Sequence, residues 1–137
     1  MLTDVSYELI IGSKQDPLFG PVILFGMGGV MAEIWKDYAL GLPPLNRLLA
    51  RRLMEKTRVY QALSAYRNML PADLEPLEEI LIRVSQLVTD FAEITELDIN
   101  PLIVTRHQCM AADARVIVKA TTVLGHQHLV ILSLIHI

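Results

Sequence analysis

Glu96-Leu97-Asp98-Ile99-Asn100-Pro101-Leu102, with Asp113-Ala114-Arg115 following it, is the part of this chain from which the rest can be read. Leu97, Ile99 and Leu102 mark an apolar face and Glu96, Asp98 and Asn100 a polar one, the alternation of a half-buried strand. A second β-rich run, Cys109 to Val118, follows Thr105-Arg106-His107-Gln108. A symmetric hairpin closed by that loop pairs Val104 with Cys109, and counting back sets Asn100 opposite Asp113 and Asp98 opposite Arg115. Directly opposed side chains have Cβ atoms about 5 Å apart, so an amide oxygen and a carboxylate placed in this way can share one hard cation such as Mg2+. The same spacing also describes a plain solvated ion pair between Asp98 and Arg115. Pro101, which removes a ladder donor, is in turn a place for a bulge that would shift the register.

Working outward, the 137 residues make one domain with room for a real core, but are few for a complete nucleotide-using enzyme. A net charge of -3 and a pI near 5.7 argue against a nucleic-acid surface, which needs clustered positive charge. The one dense basic stretch, Arg47 to Arg58, reads as an exposed helix face. Cys109 is the single cysteine, which excludes an internal disulfide or a thiolate zinc cluster and fits a reducing, cytoplasmic setting. Asp4 and Glu8 interrupt any secretory h-region, and the apolar run from Leu129 to Ile137 is too short for a bilayer span, so no membrane partner is expected. Residues 132–137, Leu132-Ser133-Leu134-Ile135-His136-Ile137, resemble the in-frame translation of a sequencing-library adapter, and residues 123–137 are set aside as a doubtful tail.

Nearer the N-terminus, Tyr7 to Ile11 and Pro21 to Phe25 read as short strands joined by a long loop, Gly12 to Gly20. Phe25-Gly26-Met27-Gly28-Gly29-Val30 follows. Its glycines permit positive φ and bring backbone N–H groups close to a neighbour, which suits either an anion-binding turn or a simple bend between strands. It lacks the Lys-Ser/Thr of a P-loop, and no helix is expected to start there; Val30 to Ala39 reads as another strand, with Glu33, Lys36 and Asp37 as its polar members. Pro44 stands where a first helical residue would, and Leu45, Leu48, Leu49, Leu53 and Met54 recur at helical spacing through Lys56. A second helix is capped by Asp73, with Leu77, Ile80, Leu81, Val84, Leu87 and Val88 as its core stripe and Glu75, Glu78, Glu79 and Arg83 outside. Strands, helices and a terminal hairpin in that order predict an α+β fold, helices covering one face of a mainly antiparallel sheet.

As a set, Glu8-Leu9-Ile10-Ile11-Gly12, Asp16-Pro17-Leu18-Phe19-Gly20-Pro21-Val22, Phe25-Gly26-Met27-Gly28-Gly29, Glu33 with Lys36-Asp37, Pro44-Leu45, Glu96 to Leu102 and Asp113-Ala114-Arg115 resemble the C-terminal part of the ATP-grasp domain of ADP-forming acyl-CoA synthetases. These are the acetate-CoA ligases related to the succinyl-CoA synthetase β subunit. The resemblance implies a partial ATP-grasp domain over residues 1–122, with Asn100 and Asp113 as Mg2+-nucleotide ligands. Asp98 falls on the acidic position of the family's acid-x-Asn pair, either completing the metal's outer coordination or facing a phosphohistidine. Glu33 matches a position beside the active site, Arg115 a cation for the transferred phosphate, Glu8 an acidic strand residue, and Arg67 an arginine between the helices. With Gly28 and Gly29 in the glycine turn, these are the candidate catalytic and nucleotide-binding residues.

The implied reaction joins a carboxylic acid to CoA at the expense of ATP, giving acyl-CoA, ADP and phosphate through a phosphohistidine. The other ATP-grasp half, the CoA-binding domain and the ligase domain with its histidine would belong to the rest of a parent protein, so this polypeptide alone is expected to be inactive. The four histidines, His107, His126, His128 and His136, do not replace the phosphohistidine. The family's Gly-x-Arg-Gly turn reads Ala65-Tyr66-Arg67-Asn68 here, losing both glycines. An alternative of another class is the regulatory ATP-grasp module of a bacterial protein lysine acetyltransferase, binding nucleotide or CoA as a sensor.

Overall fold

The computed structural model describes residues 6–65, 74–105 and 108–120. Within them the chain runs β1 (Tyr7–Asp16), β2 (Gly20–Met27), a 3-10 turn (Gly29–Met31), α1 (Ala32–Trp35), β3 (Tyr38–Gly41), α2 (Arg47–Glu55), α3 (Arg58–Ala65), α4 (Glu75–Asp90), β4 (Ile94–Val104), β5 (Cys109–Ala111) and β6 (Ala114–Val118). The strands form one six-stranded sheet in the order β3-β2-β1-β4-β5, with β6 continuing beside β4. Every pairing is antiparallel. The α+β expectation is therefore met. Arg67, His107, Asp73 and the doubtful tail lie outside the described residues.

The first hairpin is longer than its sequence suggests. Gly12 and Ser13 are strand residues, paired with Leu24 and Ile23, and the link shrinks to a tight turn after Asp16. There Asp16 Oδ1 accepts from Leu18 N at 2.8 Å and Phe19 N at 3.1 Å, and Gly20 takes φ +74°. A Cβ on Gly12 would stand 3.2 Å from the Leu97 carbonyl oxygen, so the glycine marks a close approach of β4.

The stretch expected as one strand from Val30 to Ala39 is instead a 3-10 turn, a short helix and then β3. Gly29 at φ +71° lets the chain leave β2 sharply, and Lys36 at φ +48° ends α1. Asp37 then caps another helix, its two carboxylate oxygens accepting from Arg58 N and Val59 N at 2.8 and 2.7 Å at the start of α3.

α2 begins after Asn46, whose Oδ1 accepts from Leu49 N at 2.8 Å, rather than at Pro44. Its buried residues are Ala50, Leu53 and Met54, while Leu48 and Leu49 are exposed. The core stripe of α4 is likewise rotated from the expected one: Leu77, Ile80, Leu81, Val84 and Val88 are buried, but Leu87 faces out and Glu78 and Ser85 face in. The cause is α2, which lies along the Glu78–Ser85 flank. Leu45 N donates to Ser85 Oγ at 3.0 Å, Arg51 meets Glu78 at 2.7 Å, and Arg47 reaches it at 3.4 Å. The basic stretch is thus partly spent on a carboxylate that is 1% exposed. Glu78→Ala is expected to cost about 1.5–3 kcal/mol, the worth of hydrogen bonds to a charged group, and Glu78→Gln less because an acceptor remains. Urea midpoints read this, and an unshifted Ala variant would mean that the pair contributes nothing.

The predicted terminal register is observed. Val104 pairs with Cys109, Asp98 with Arg115 and Ile99 with Ala114. Between the two ladders Asn100 N donates to the Asp113 carbonyl at 3.1 Å and Ala112 N to that of Pro101 at 2.9 Å, so Asn100 does lie across from Asp113. Pro101 does sit in a bulge, but on the β1 side: Leu9 pairs with Leu102 and Ile11 with Ile99, leaving Asn100 and Pro101 against Ile10. That extra residue accounts for the three-residue step from Ile99 to Leu102, which a regular pleat would not allow with both buried. Leu9, Ile11, Phe25, Leu97, Ile99 and Leu102 make the core face beneath the helices, leaving the other face of the sheet open.

Candidate functional site

The open face is built by alternation. Glu8, Ile10, Gly12 and Lys14 of β1 alternate with its buried Leu9, Ile11 and Ser13, and Glu96, Asp98 and Asn100 of β4 alternate with its buried Leu97 and Ile99. Gly12 stands opposite Asp98, Lys14 opposite Glu96, and the last pair closes an ion contact of 3.7 Å. A concavity of about 540 Å³ lies over the part of this face from Ile10 to Asp16, its apolar floor including Ile10, Val22, Leu24 and Leu40; its lining includes Asp98 and Arg115 but not Glu8, Asn100 or Asp113. Gly12 and this floor were not singled out from the sequence. The signal available was a glycine inside an apolar run, which marks close approach in a strand as readily as it marks a loop.

Candidate residues fall into two adjoining groups. In the first, Gly28 N donates to the Glu8 carbonyl at 2.9 Å and Gly29 N to Asn100 Oδ1 at 3.0 Å. The Glu8 carboxylate lies against the Gly29 Cα, where a Cβ would have no space, and a Cβ on Gly28 would meet the Leu9 carbonyl and stand 2.8 Å from Asn100 Oδ1. Glu8, Gly28, Gly29 and Asn100 are therefore one packed unit.

The second group is Asp98, Arg115 and Asp113. Asp98 is half-buried, while Arg115 and Asp113 are exposed on the neighbouring segment. Although Asp98 and Arg115 are directly opposed, the ion pairs among the described residues do not include them. Burial pushes the Asp98 carboxyl above its usual range; Arg115 opposes this, and Asp113 and Glu96 add to it. A carboxyl raised in the folded state favours the fold while protonated, and that contribution is lost as pH rises through the folded pKa. Asp98→Asn is expected to be more stable than the parent chain at neutral pH, the difference vanishing below the ordinary carboxylate range. Thermal melts across that pH interval would show it, and a constant difference would contradict it.

Glu33 stands apart. It lies in the first turn of α1, exposed, and no hydrogen bond or ion pair among the described residues joins it to Asn100, Asp113 or Asp98. Arg67 cannot be placed, since it lies outside the described residues. Cys109 is half-buried, its thiol pushed up to about 11 by burial, which makes it a poor nucleophile.

For a hard cation the donor set is suitable. Asn100 offers an amide oxygen with two lone pairs, one of them facing Gly29, and Asp113 offers a carboxylate across the hairpin. Among the described residues there is no cluster of three or more His, Cys, Asp or Glu able to hold a metal by itself. An ion here would complete its shell with water or phosphate oxygens, as Mg2+ commonly does.

Residues 1–118 match the family model described as an ATP-grasp domain. The chain is 38% identical over 116 residues to acetate–CoA ligase (ADP-forming) I of Archaeoglobus fulgidus, covering 85% of this chain and 17% of that protein. It is 42% identical over 111 residues to the 4-hydroxybutyrate–CoA ligase (ADP-forming) of Nitrosopumilus maritimus, covering 80% and 16%. Among solved structures it is similar to the dinucleotide-forming acetyl-coenzyme A synthetase 1 of Ca. Korarchaeum cryptofilum in complex with coenzyme A and Mg-AMPPCP, with the phosphohistidine segment pointing towards the nucleotide binding site. That match has a TM-score of 0.77 and 35% identity, covering 86% of this chain and 55% of that one. The chain thus spans about a sixth of either ligase. No helix among the described residues is long and apolar enough to cross a membrane.

Proposed function

Because this chain belongs to the ATP-grasp domain family, we propose that it is the Mg-nucleotide-binding part of an ADP-forming acyl-CoA synthetase. The parent would convert a carboxylic acid, CoA and ATP to acyl-CoA, ADP and phosphate by way of a phosphohistidine carried on another domain. The observation that carries this reading is the β4–β6 register, which sets the amide of Asn100 across from Asp113 and the Asp98–Arg115 pair next to them, in a chain whose relatives are ADP-forming ligases. Those relatives favour the catalytic over the regulatory acetyltransferase reading. They are named for different acids, and in this reading the acid-binding pocket belongs to a ligase domain of the parent rather than to this sheet.

In this reading Asn100 and Asp113 hold Mg2+. Bound there, the ion would neutralise charge on the phosphates, which is most of what phosphoryl transfer asks of a protein. The Arg115 guanidinium steadies the moving phosphoryl group by a charge-assisted contact, and Asp98 either orients the incoming imidazole or completes the outer coordination. Glu8 and the backbone of Gly28 and Gly29 shape the wall behind Asn100. Glu33 serves from α1, and Arg67 from the segment between the helices. In this reading the other ATP-grasp half and the CoA-binding and ligase domains of the parent are the partners required, and the 137-residue chain by itself is expected not to turn over.

The test is ADP release from Mg-ATP by the parent protein, with and without CoA plus acetate or a panel of short acids. ADP formation that depends on both acid and CoA is the expected result. Nucleotide or CoA binding with no turnover under any acid would overturn the synthetase reading.

A further inference from the structure

The Asn100 side chain is already engaged where the cation is expected. Its Oδ1 accepts the Gly29 N–H at 3.0 Å across 71 residues of sequence. Gly29, at φ +71°, carries the turn from β2 towards α1, and its Cα is backed by the Glu8 carboxylate. On the other side the turn is anchored by the Gly28 N–H, which donates to the Glu8 carbonyl at 2.9 Å. Resting on the Mg2+ reading above, we propose that Asn100 is a positioning residue whose single oxygen is shared between the cation and the glycine turn, so that occupancy at Asn100 and Asp113 loosens the Gly29 contact and resets the start of α1.

The physical reason is electrostatic. A carbonyl oxygen has two lone pairs, so geometry allows both partners at once. A dication on that oxygen, however, withdraws electron density and repels the positive end of the Gly29 N–H dipole at short range. Gly28 stays held by Glu8, so the turn pivots between a fixed Gly28 and a released Gly29. The segment that follows carries Glu33 on α1, and ion occupancy is thereby transmitted to a residue that has no direct contact with Asn100 or Asp113 in this structure.

Gly28-Gly29 is the only Gly-Gly step among the seven glycines, which makes the contact observable by itself. In the full 137-residue chain labelled with [1-13C, 15N]glycine, the Gly29 amide is the one nitrogen attached to a labelled carbonyl, and an HNCO spectrum gives a single resonance. Addition of Mg2+ is expected to move it upfield in the proton dimension and to speed its hydrogen exchange by about 2–13-fold, the factor for loss of one ordinary hydrogen bond. Asn100→Ala should start with the resonance displaced and ignore Mg2+, and Asn100→Asp, which keeps an acceptor, should restore the starting position. Asp113→Ala should leave the starting position alone and abolish the response. Free Mn2+, read by its electron paramagnetic resonance signal, reports binding separately. Asp113-dependent Mn2+ binding with a silent Gly29 would overturn the coupling and leave the metal reading standing; absence of binding would overturn both. A Gly29 response that persists in Asp113→Ala would place the ion elsewhere and overturn the proposal.

Discussion

Asp113→Ala in the parent synthetase is expected to lower acid- and CoA-dependent ADP formation by about 10²–10³-fold, the scale on which removal of one group stabilising developing charge is felt. The fold should hardly notice. Asp113 is exposed between β5 and β6, and its main-chain oxygen, which accepts from Asn100 N, is retained by the substitution. A stability change within about 0.5 kcal/mol is expected for a surface position of this kind. Loss of rate with unchanged melting separates a ligand from a structural residue. Full activity in the variant would remove Asp113 from the site and leave Asn100 as only the partner of Gly29.

Gly28→Ala is expected to be strongly damaging. Its φ of -106° is open to any residue, so the backbone conformation is not the obstacle. The obstacle is space: the new Cβ would press on the Leu9 carbonyl and come within 2.8 Å of Asn100 Oδ1. The β1–β2 ladder, which pairs Leu9 with Met27 just there, would have to yield, at about 1–3 kcal/mol or more. The Asn100 amide would be displaced as well. Gly20→Ala is the matched control. Gly20 has φ +74° with nothing within 4 Å of a new Cβ, so only conformational cost remains, about 1–2 kcal/mol. Urea midpoints and Mn2+ binding should both fall in Gly28→Ala, whereas Gly20→Ala should lose stability alone. Equal binding by the two variants would contradict the packed unit.

What was legible in the sequence is what local rules determine. A loop of definite length between two alternating runs set the β4–β5–β6 register, and it held through the Pro101 irregularity because the step from β5 to β6 mirrors it: Ala111 and Ala114 are both buried, three residues apart like Ile99 and Leu102. What escaped depends on distant neighbours. Glu78 lies off the regular stripe of its helix and is buried because α2 covers that flank with Arg51 and Arg47. Gly12 and Ser13 carry loop-like residue types, yet they are strand because β2 and β4 pair with them on both sides. The Gly29–Asn100 contact joins two motifs that were each recognised separately, but no spacing rule reaches across 71 residues.

The position of β4 has a consequence for how this domain is made. β1 and β2 emerge from the ribosome well before β4, yet the edge of β1 opposite β2 is satisfied by β4; Gln15 and the Ile94 carbonyl that it meets are 79 residues apart. At translation rates of roughly 5–20 residues per second, the nascent hairpin waits on the order of ten seconds with one row of N–H and C=O groups unpaired. For most of that interval Leu9, Ile11, Ile23 and Phe25, all fully buried at the end, have no α4 to lie against. Asn100 and Asp113 come together only after β4 and the segment leading into β6 have emerged, so any site that depends on both forms late in synthesis.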